Sequence, residues 1–499
     1  MDVLSLLGQG FAVALQPTNL LVAFIGAFVG TLIGALPGLG PVNGSAILLP
    51  FCFALGLPPE TALILLAAVY YGCEYGGRIT SILLNVPGEA ASVLTALDGY
   101  PMARKGLAGP AMSISGFSSF VGSTVATLGL TLFAPIIAAW ALKFGPAEYF
   151  ALMVFALCML TSLVGNNPAK TMIGCVIGLL ISTVGIDSGT GVYRFTFGDV
   201  HLADGIAFLI VVVGLFSISE VLLLLEETHA GVKLQQMTGR MLFSMAELAR
   251  CGWGILRTAV MGFVVGVLPG AGASVAAALA YMTEKKLVDR EGTFGTGDIR
   301  GVAAPEAANN AAAGGAFIPM LTLGIPGSGT TAVMLGGLTL YNITPGPLLF
   351  EQQPGLVWGL IASLYIANVM LLVLNLPFIG LFIWLLRIPT WALVPGIVAV
   401  SFIGVYSVHS TVFDLLLMIG FGVLGYVLRK LDFSLAPVVL GVVLGDMMEQ
   451  NLRRALSISG GDWTILVGSP ISMLLWGLAL FVLFLPLLTS RLKRARLAG

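Results

Sequence analysis

The sequence predicts an all-α integral membrane protein with about 10 to 14 membrane segments, including broken or re-entrant helices, in two inverted structural repeats. Composition is the first observation: of 499 residues, 58% are hydrophobic and 9% charged, and mean hydropathy is +1.01. A soluble domain carries about 25% charged residues, so soluble enzyme folds are excluded. Long uncharged runs and a recurring glycine-proline pattern are the other two observations.

The uncharged runs supply the membrane segments. A helix needs about 20 apolar residues to cross the hydrocarbon core. Runs without any charged residue cover 3–59, 106–142, 307–350, 352–386 and 388–413. Several of these runs exceed one span, so some contain two segments.

Basic residues predict the orientation. The C-terminal tail should be cytoplasmic because it carries Arg491, Lys493, Arg494 and Arg496. The first apolar run has no preceding Lys or Arg, so we expect it to be retained rather than cleaved as a signal peptide. Basic clusters at 233–257 and 285–300 bracket one apolar stretch. Either that stretch is re-entrant or one cluster is translocated.

Composition also suggests three regions. Residues 1–225 form the first transmembrane repeat, and residues 258–499 form the second repeat with its cytoplasmic tail. Residues 226–257 mix apolar side chains with spaced Glu and Arg, which is typical of an amphipathic linker at the membrane interface.

Two glycine-proline motifs each occur twice. The first motif recurs with a constant offset of 232 residues, pairing Gly30, Gly34, Leu36, Pro37, Gly38 and Gly40 with Gly262, Gly266, Leu268, Pro269, Gly270 and Gly272. The second motif, at 85–92, recurs at 324–331 with an offset of 239 residues. The two motifs occur in the same order in both halves, which indicates an internal duplication.

These motifs predict interrupted helices. Glycines four residues apart let a neighbouring helix approach closely, and Leu-Pro-Gly then ends the helix. Unwound backbone inside a membrane must be buried in protein or line a wet cavity, and paired breaks in transporters mark the substrate site. The alternative is that Pro and Gly merely kink packing helices.

At these residues the chain closely resembles the large membrane subunit of tripartite tricarboxylate transporters, the TctA family. The segments that carry the resemblance are 30–41, 75–106, 266–274 and 301–338. It implies a bacterial inner-membrane symporter for a tricarboxylate such as citrate, or for a dicarboxylate. It also implies a small membrane subunit and a periplasmic solute-binding protein as partners, besides membrane lipid and a possible homo-oligomer. Arg78 stands where the family often has a small residue.

We expect the substrate at the four breaks, because helix N-termini offer unpaired N–H groups to an anion. The candidate substrate-binding residues are Gly38, Gly40, Asn43, Ser45, Pro87, Gly88, Glu89, Ser92, Gly270, Gly272, Ser274, Pro326, Gly327, Ser328, Thr330 and Thr331. The alternative for each hydroxyl or amide side chain is helix capping.

A co-transported cation is expected, because Glu89 is the only charged residue among these candidates and helix dipoles contribute about half a charge each. Candidate cation-binding residues are Asn43, Ser45, Ser274, Glu306, Asn309 and Asn310. Sodium is the first choice and a proton on Glu306 the alternative, although Glu306 can also lie at the interface. Arg78 follows Glu74 by four residues, which favours a helical ion pair.

The sequence argues against other functional classes. The histidines (His201, His229 and His409) are isolated and the five cysteines form no CxxC pair, so no transition-metal site or other cofactor is expected. Neither HExxH nor GxSxG occurs, and the absence of a Gly-Lys pair excludes a Walker A motif. A proton-coupled transporter remains the main alternative, and an ion channel or an intramembrane enzyme is less favoured.

Overall fold

A computed structural model describes residues 3–163, 167–187, 189–226, 240–385 and 390–497. Over these residues the chain is mainly helical, with one short antiparallel pairing between β1 (Gly185–Ile186) and β2 (Tyr193–Arg194). The predicted all-α class is therefore confirmed. The five cysteines are free thiols, and four of them are buried.

The described residues of the first half form ten α-helices. They are α1 (Val3–Ala14), α2 (Pro17–Ala35), α3 (Gly40–Ala54), α4 (Pro59–Leu84), α5 (Val93–Arg104), α6 (Ala108–Ala141), α7 (Pro146–Leu163), α8 (Pro168–Ser182), α9 (Phe208–Val212) and α10 (Ser219–Glu226). A π-helical segment, Val213–Ile218, joins α9 to α10, and a 3-10 turn covers Val200–Leu202.

The second half contains twelve more among the described residues. They are α11 (Met245–Val267), α12 (Gly272–Val288), α13 (Ile299–Gly315), α14 (Phe317–Leu323), α15 (Gly329–Leu340), α16 (Leu349–Gln352), α17 (Pro354–Asn375), α18 (Ile379–Leu385), α19 (Thr390–His409), α20 (Val412–Lys430), α21 (Ala436–Ile458) and α22 (Pro470–Leu497). A 3-10 helix, Trp463–Val467, precedes α22.

Six helices in the described part of the chain are long and apolar enough to cross a membrane. They are α2, α6, the continuous stretch Phe208–Glu226, α11, α17 and α20. Seven shorter apolar helical stretches accompany them, in α1, α3, α7, α8, α15, α19 and α22. A multi-pass arrangement with interrupted helices follows from this mixture of lengths.

Helix α11 and helix α12 fold back on each other around the second Leu-Pro-Gly break. The Arg257 guanidinium on α11 donates through Nε to Glu284 Oε1 on α12, at 2.7 Å. This contact joins the middle of α11 to the C-terminal part of α12, so the two helices run back along each other and the break lies at the turn between them. Arg257 therefore lies beside the start of the 285–300 cluster, as the re-entrant alternative predicts, whereas residues 233–239 of the first cluster lie outside the described residues.

Close glycine contacts repeat between the halves. A Cβ atom added to any of four glycines would lie within 2.4 Å of a backbone carbonyl oxygen on the facing helix. The pairs are Gly30 with Val69 and Gly34 with Cys73 in the first half, and Gly262 with Ala308 and Gly266 with Ala312 in the second. The contacted residues differ by 239 positions and the glycines by 232, which matches the two sequence offsets. The helix pairs α2–α4 and α11–α13 therefore share one packing geometry.

The charged residues Asp98, Arg104 and Lys105 in the segment 97–106 predict a polar loop after the second break, but this prediction is wrong over most of its length, because 93–104 forms helix α5. Asp98 is buried in this helix, and its carboxylate accepts hydrogen bonds from the backbone N–H groups of Gly295 and Gly297, at 2.9 and 2.8 Å. A buried carboxylate with these donors is compatible with a packed helix.

The predicted interfacial linker is only partly described. Residues 227–239, which include His229, lie outside the described residues. Helix α11 begins after Ser244, which forms a capping box with Glu247, and it continues without interruption through position 257. The second part of the predicted linker is therefore continuous with the first span of the second repeat.

Candidate functional site

The four predicted chain breaks converge on one cavity of about 450 Å³. Each break contributes to its wall, together with α4, the π-helical segment and α20. The lining residues are Gly38, Leu39, Gly40, Pro41, Val42, Asn43, Tyr70, Glu74, Pro87, Gly88, Glu89, Ala90, Ala91, Phe216, Gly272, Ala273, Ser274, Ser328, Gly329, Thr330 and Arg429.

The two Leu-Pro-Gly breaks have the same backbone conformation. Gly38 and Gly270 have φ angles of +77° and +78°, and Gly40 and Gly272 have φ angles of +60° and +66°. Glycine adopts this left-handed region without the steric cost that a Cβ atom brings. The chain therefore turns within a few residues, and α3 and α12 begin directly at the cavity.

The second pair of breaks also matches. Asn85 follows the last residue of α4 and Gly324 follows that of α14, and both are left-handed, with φ angles of +58° and +67°. After each break a hydroxyl side chain binds the backbone three residues earlier. Glu89 N–H donates to Ser92 Oγ at 3.3 Å, and Ser328 N–H donates to Thr331 Oγ1 at 2.8 Å. Ser92 and Thr331 are therefore engaged in local capping.

The helix starts give the cavity partial positive charge. The first residues of α3, α12 and α15 all lie on its wall. The first N–H groups of a helix lack intrahelical partners, and the helix dipole places its positive end there. This is the arrangement that binds carboxylate and phosphate groups in other proteins.

Arg429 adds a full positive charge beside the first break. Its guanidinium forms an ion pair with Glu220 and donates to Asn43 Oδ1 at 3.4 Å. Asn43 Nδ2 in turn donates to Glu220 Oε2 at 3.2 Å and to the carbonyl oxygen of Gly38 at 3.4 Å. Asn43 thus connects the unwound backbone to the Arg429–Glu220 pair.

Two acidic side chains lie near the second break. The side chains of Glu74 on α4 and Glu89 in the break both line the cavity, and their carboxyl groups lie close enough to interact. Asn309 Nδ2 on α13 donates to Glu89 Oε1 at 2.7 Å. Glu74, Glu89 and Arg429 all line the cavity, so its wall carries charges besides Glu89, the one charged residue among the sequence candidates.

Reciprocal contacts connect the halves across the cavity. The Tyr70 hydroxyl lies 3.1 Å from Ser328 Oγ, and Asn309 contacts Glu89 at 2.7 Å. Adding 239 to Tyr70 gives Asn309, and adding 239 to Glu89 gives Ser328. Each half therefore contributes the same two positions to the other half, as pseudo-twofold symmetry requires.

Glu306 and Asn310 lie in a buried polar cluster separate from the cavity lining. Thr95 Oγ1 donates to Glu306 Oε1 at 2.5 Å, and Ser119 Oγ donates to Glu306 Oε2 at 3.0 Å. Asn310 Nδ2 donates to Ser119 Oγ at 2.8 Å. Glu306 is 0% exposed and is held by hydroxyl donors inside the bundle.

The expected ion pair between Glu74 and Arg78 is wrong. Glu74 turns to Glu89, whereas the three guanidinium nitrogens of Arg78 have no hydrogen-bond partner. Arg78 is completely buried, with its guanidinium carbon 5.2 Å from the centre of the Tyr75 ring. A spacing of four residues allows an ion pair on one helix, but α4 packs against the second break, and Glu74 contacts Glu89 there instead of Arg78.

Ten of the candidate substrate residues lie on the cavity wall: Gly38, Gly40, Asn43, Pro87, Gly88, Glu89, Gly272, Ser274, Ser328 and Thr330. The other six lie behind it: Ser45, Ser92, Gly270, Pro326, Gly327 and Thr331. Gly270 N–H, for example, donates to the carbonyl oxygen of Gly327 at 3.0 Å. None of these six lines the cavity, and the Gly270–Gly327 hydrogen bond links the two breaks of the second half.

The candidate cation residues do not form one cluster. Asn43 and Ser274 lie on the cavity wall, while Ser45 is buried with an unpartnered hydroxyl. Asn309 belongs to the Glu89 cluster, and the remaining two candidates belong to the Thr95–Ser119 cluster. A sodium shell built from all six residues is incompatible with this arrangement.

Sequence reasoning missed Tyr70, Glu74, Phe216 and Arg429 as lining residues. Arg429 ends an apolar span beside Lys430, a position typical of interfacial anchoring. Glu74 did carry a signal, because a carboxylate inside an apolar helix is costly unless it has a function or a partner.

Comparisons with known proteins agree with the resemblance seen in the motifs. The tripartite tricarboxylate transporter TctA family matches residues 20–440. An uncharacterised 52.8 kDa protein from the TAR-I ttuC' 3' region of Agrobacterium vitis is 44% identical over 495 residues, which covers 98% of each chain. An uncharacterised protein from the TAR-II ttuC' 3' region of the same organism is 48% identical over 234 residues, 47% of this chain and 97% of the relative.

No solved structure shows significant similarity to the chain. The family match extends over far more than half of the sequence, and it includes all four breaks that form the cavity. The chain is a multi-pass membrane protein that belongs to the tripartite tricarboxylate transporter TctA family.

Proposed function

We propose that the chain is the transmembrane subunit of a secondary active transporter that imports a tricarboxylate or dicarboxylate across the bacterial inner membrane, coupled to a cation. The observation that carries this proposal is the convergence of four helix breaks on one cavity. Broken helices at a repeat interface are the usual substrate site of secondary transporters.

The substrate carboxylates bind between the helix starts and Arg429. Backbone N–H groups at Gly40, Gly272 and Gly329 supply directed donors, while the hydroxyls of Ser274 and Thr330 add polar contacts. Arg429 is already paired with Glu220, so it anchors one carboxylate without leaving an uncompensated buried charge when the site is empty.

Charge balance supports cation coupling. Two carboxyl groups, Glu74 and Glu89, face the same cavity as the anionic substrate, and the positive charge of Arg429 is opposed by Glu220. A bound cation, sodium or a proton, offsets this excess of negative charge. By linkage, that cation raises substrate affinity by the same factor that substrate raises cation affinity.

The proposed assembly is supported by the family and, for the C-terminal end, by the charge distribution. A periplasmic solute-binding protein delivers the carboxylate, and a small membrane subunit completes the complex. The basic C-terminal end of α22 lies in the cytoplasm under the positive-inside rule.

Uptake of radiolabelled citrate and tartrate into proteoliposomes that contain the transporter tests the proposal. We expect saturable uptake that requires a cation gradient, and loss of uptake in Arg429→Gln, which removes the fixed charge. Uptake that rises linearly with concentration, independent of any gradient, would instead indicate a channel. Absence of uptake with the complete complex and either carboxylate would refute the carboxylate proposal.

A further inference from the structure

We propose that Glu74 and Glu89 form the binding site of the coupling ion, and that this ion is a proton held between their carboxyl groups. This inference rests on the proposed function, because the proton is co-transported with the carboxylate bound in the same cavity. It moves the coupling site away from Glu306, which is absent from the cavity wall.

The two carboxyl groups are brought together by the packing of α4 against the second break. Gly77 on α4 leaves room for the Glu89 side chain, since a Cβ atom at Gly77 would lie 2.7 Å from Glu89 Cγ. Glu74 is 1% exposed, and its Oε2 atom has no hydrogen-bond partner. The site is thus built by the fold and contains a buried oxygen that is free to bind.

A second unpartnered oxygen belongs to Asn309. This side chain is 1% exposed, its Nδ2 donates to Glu89 Oε1, and its Oδ1 has no partner. Asn309 comes from the other half of the protein, so the acidic pair is joined to α13 by a single amide. Movement of one half relative to the other would change this contact directly.

The chemistry of the pair favours a proton over a metal ion. Two ionised carboxylates in contact repel each other, whereas one shared proton converts the contact into a charge-assisted hydrogen bond. A metal cation requires about six oxygen ligands. Here an N–H donor of Asn309 points at Glu89, where a metal cation would meet the positive end of a dipole.

Of the groups around the cavity, the Glu74–Glu89 pair is the one that we expect to gain and lose a proton. Titratable or charged groups near it are Tyr70, Tyr71 and Cys73 on α4, Glu306 on α13 and Arg429 on α20. Helices α2, α3, α6, α15 and α17 carry no Asp, Glu, Lys, Arg or His. On α5, Asp98 is bound to the Tyr281 hydroxyl at 2.9 Å and to loop amides.

The pair is unique to one half. The positions equivalent to Glu74 and Glu89, 239 residues later, are Ala313 and Ser328. The second half therefore keeps the backbone geometry of the break but has no carboxyl group there. One proton site per chain is the stoichiometry that this asymmetry predicts.

Each transport cycle then moves one proton through the pair. A proton from the outer solution joins one carboxylate oxygen, the neighbouring carboxylate accepts its hydrogen bond, and the anionic substrate binds next to a less negative wall. On the inner side the substrate leaves, the O–H bond breaks, and the proton passes to water in the cavity. No other reactant is needed.

The test uses proteoliposomes containing the complete transporter and a fluorescent pH indicator in the lumen. Tartrate is the substrate, because both of its acid groups are fully ionised above about pH 6 and it carries no proton of its own. We expect tartrate uptake to acidify the lumen at constant sodium. Apparent tartrate affinity should fall as pH rises, by up to about tenfold per pH unit, the limit for one linked proton.

Glu74→Gln and Glu89→Gln each replace a carboxyl with a neutral amide of the same shape. We expect both variants to bind tartrate with an affinity that no longer depends on pH, and to lose substrate-driven acidification. Glu351→Gln, which removes an exposed carboxyl group on α16, is the matched control and should behave as the unmodified protein.

Three outcomes separate the two proposals. No uptake of either carboxylate by the unmodified complex overturns the proposed function. Uptake without acidification, stimulated by sodium at fixed pH, overturns only the proton site. Acidification that persists in both Gln variants also overturns it, and it assigns the proton to another group.

Discussion

At the scale of single residues, the buried side chains of Glu306 and Arg78 differ in how many hydrogen bonds they form. Glu306 receives two hydroxyl hydrogen bonds, from Thr95 and Ser119. The Arg78 guanidinium donates no hydrogen bond, and the charge of Glu306 is its stabilising electrostatic neighbour. Removing the charge of Glu306 should therefore lower the free energy of unfolding more than removing the charge of Arg78.

We expect Glu306→Gln to lower the free energy of unfolding by about 3 kcal/mol, because it leaves an uncompensated buried guanidinium. Arg78→Met should cost less, since the remaining carboxylate keeps its two donors. The double variant Arg78→Met/Glu306→Gln should recover most of the loss. Thermal unfolding in detergent measures all three, and equal losses for the two single variants would contradict this view of the cluster.

The break glycines face two different surroundings. Gly38 opens towards the cavity, with Glu220 Oε1 3.2 Å from an added Cβ atom, whereas Gly270 packs against Leu160, 2.6 Å from the same position. Both have left-handed φ angles. A β-branched residue is strained at either position, but only at Gly270 does it also collide with a packed side chain.

We therefore expect Gly38→Val and Gly270→Val each to abolish carboxylate uptake while the protein still inserts into the membrane. Gly270→Val should in addition lower the unfolding temperature more than Gly38→Val, because Leu160 must move. Uptake assays and thermal unfolding of the two variants test this. Normal transport by both would place the substrate away from the breaks.

At the scale of helices, the glycine ladders set the distance between α2 and α4 and between α11 and α13. A Cβ atom at Gly34 would lie 2.1 Å from the carbonyl oxygen of Cys73, and one at Gly266 would lie 2.3 Å from that of Ala312. Neither backbone can yield without separating the two helices. These glycines are therefore required for packing, whereas Gly420 in α20 has nothing within 4 Å of the added atom.

Gly34→Ala and Gly266→Ala should each destabilise the fold by several kcal/mol, in the range of overpacked cores. Gly420→Ala is the matched control, and it should be neutral or stabilising by about 0.5–1 kcal/mol because alanine favours the helix. Unfolding temperatures in one detergent allow the comparison. If alanine at Gly34 or Gly266 is tolerated, the facing helices must be farther apart than they are in this structure.

The sequence was sufficient to predict the helix breaks, because Pro and Gly act locally. Leu-Pro-Gly removes a backbone donor and releases φ wherever it occurs, so Pro37 and Pro269 mark the breaks without knowledge of the tertiary fold. Arg429 could not be assigned in this way. Its contact with the cavity depends on α20 packing against the π-helical segment, and hydropathy does not specify which helices are neighbours.

At the scale of the whole molecule, reciprocal contacts distinguish a pseudo-twofold relation from simple side-by-side duplication. Tyr70 reaches Ser328 while its counterpart Asn309 reaches Glu89, so each half donates to the other through equivalent positions. A twofold axis in the membrane plane would invert the halves and place equivalent loops on opposite sides. The orientation of those loops therefore tests the predicted inverted repeat.

Leu55 and Leu287 form a matched pair for this test. They are related by the offset of 232 residues, they follow α3 and lie near the end of α12, and they are 57% and 53% exposed. Leu287 lies within the basic cluster 285–300, which the positive-inside rule places in the cytoplasm. Inversion then requires Leu55 to face the periplasm, where the sequence around it carries no Lys or Arg.

We expect a membrane-impermeant maleimide to label Leu55→Cys in cells with a permeabilised outer membrane and an intact inner membrane. Leu287→Cys should be labelled only after the inner membrane is also opened. The native cysteines provide a low background, because four of the five thiols are buried. Labelling of both variants from the same side would mean that the halves run parallel, and the cavity would then have to open by a motion other than exchange between two inverted halves.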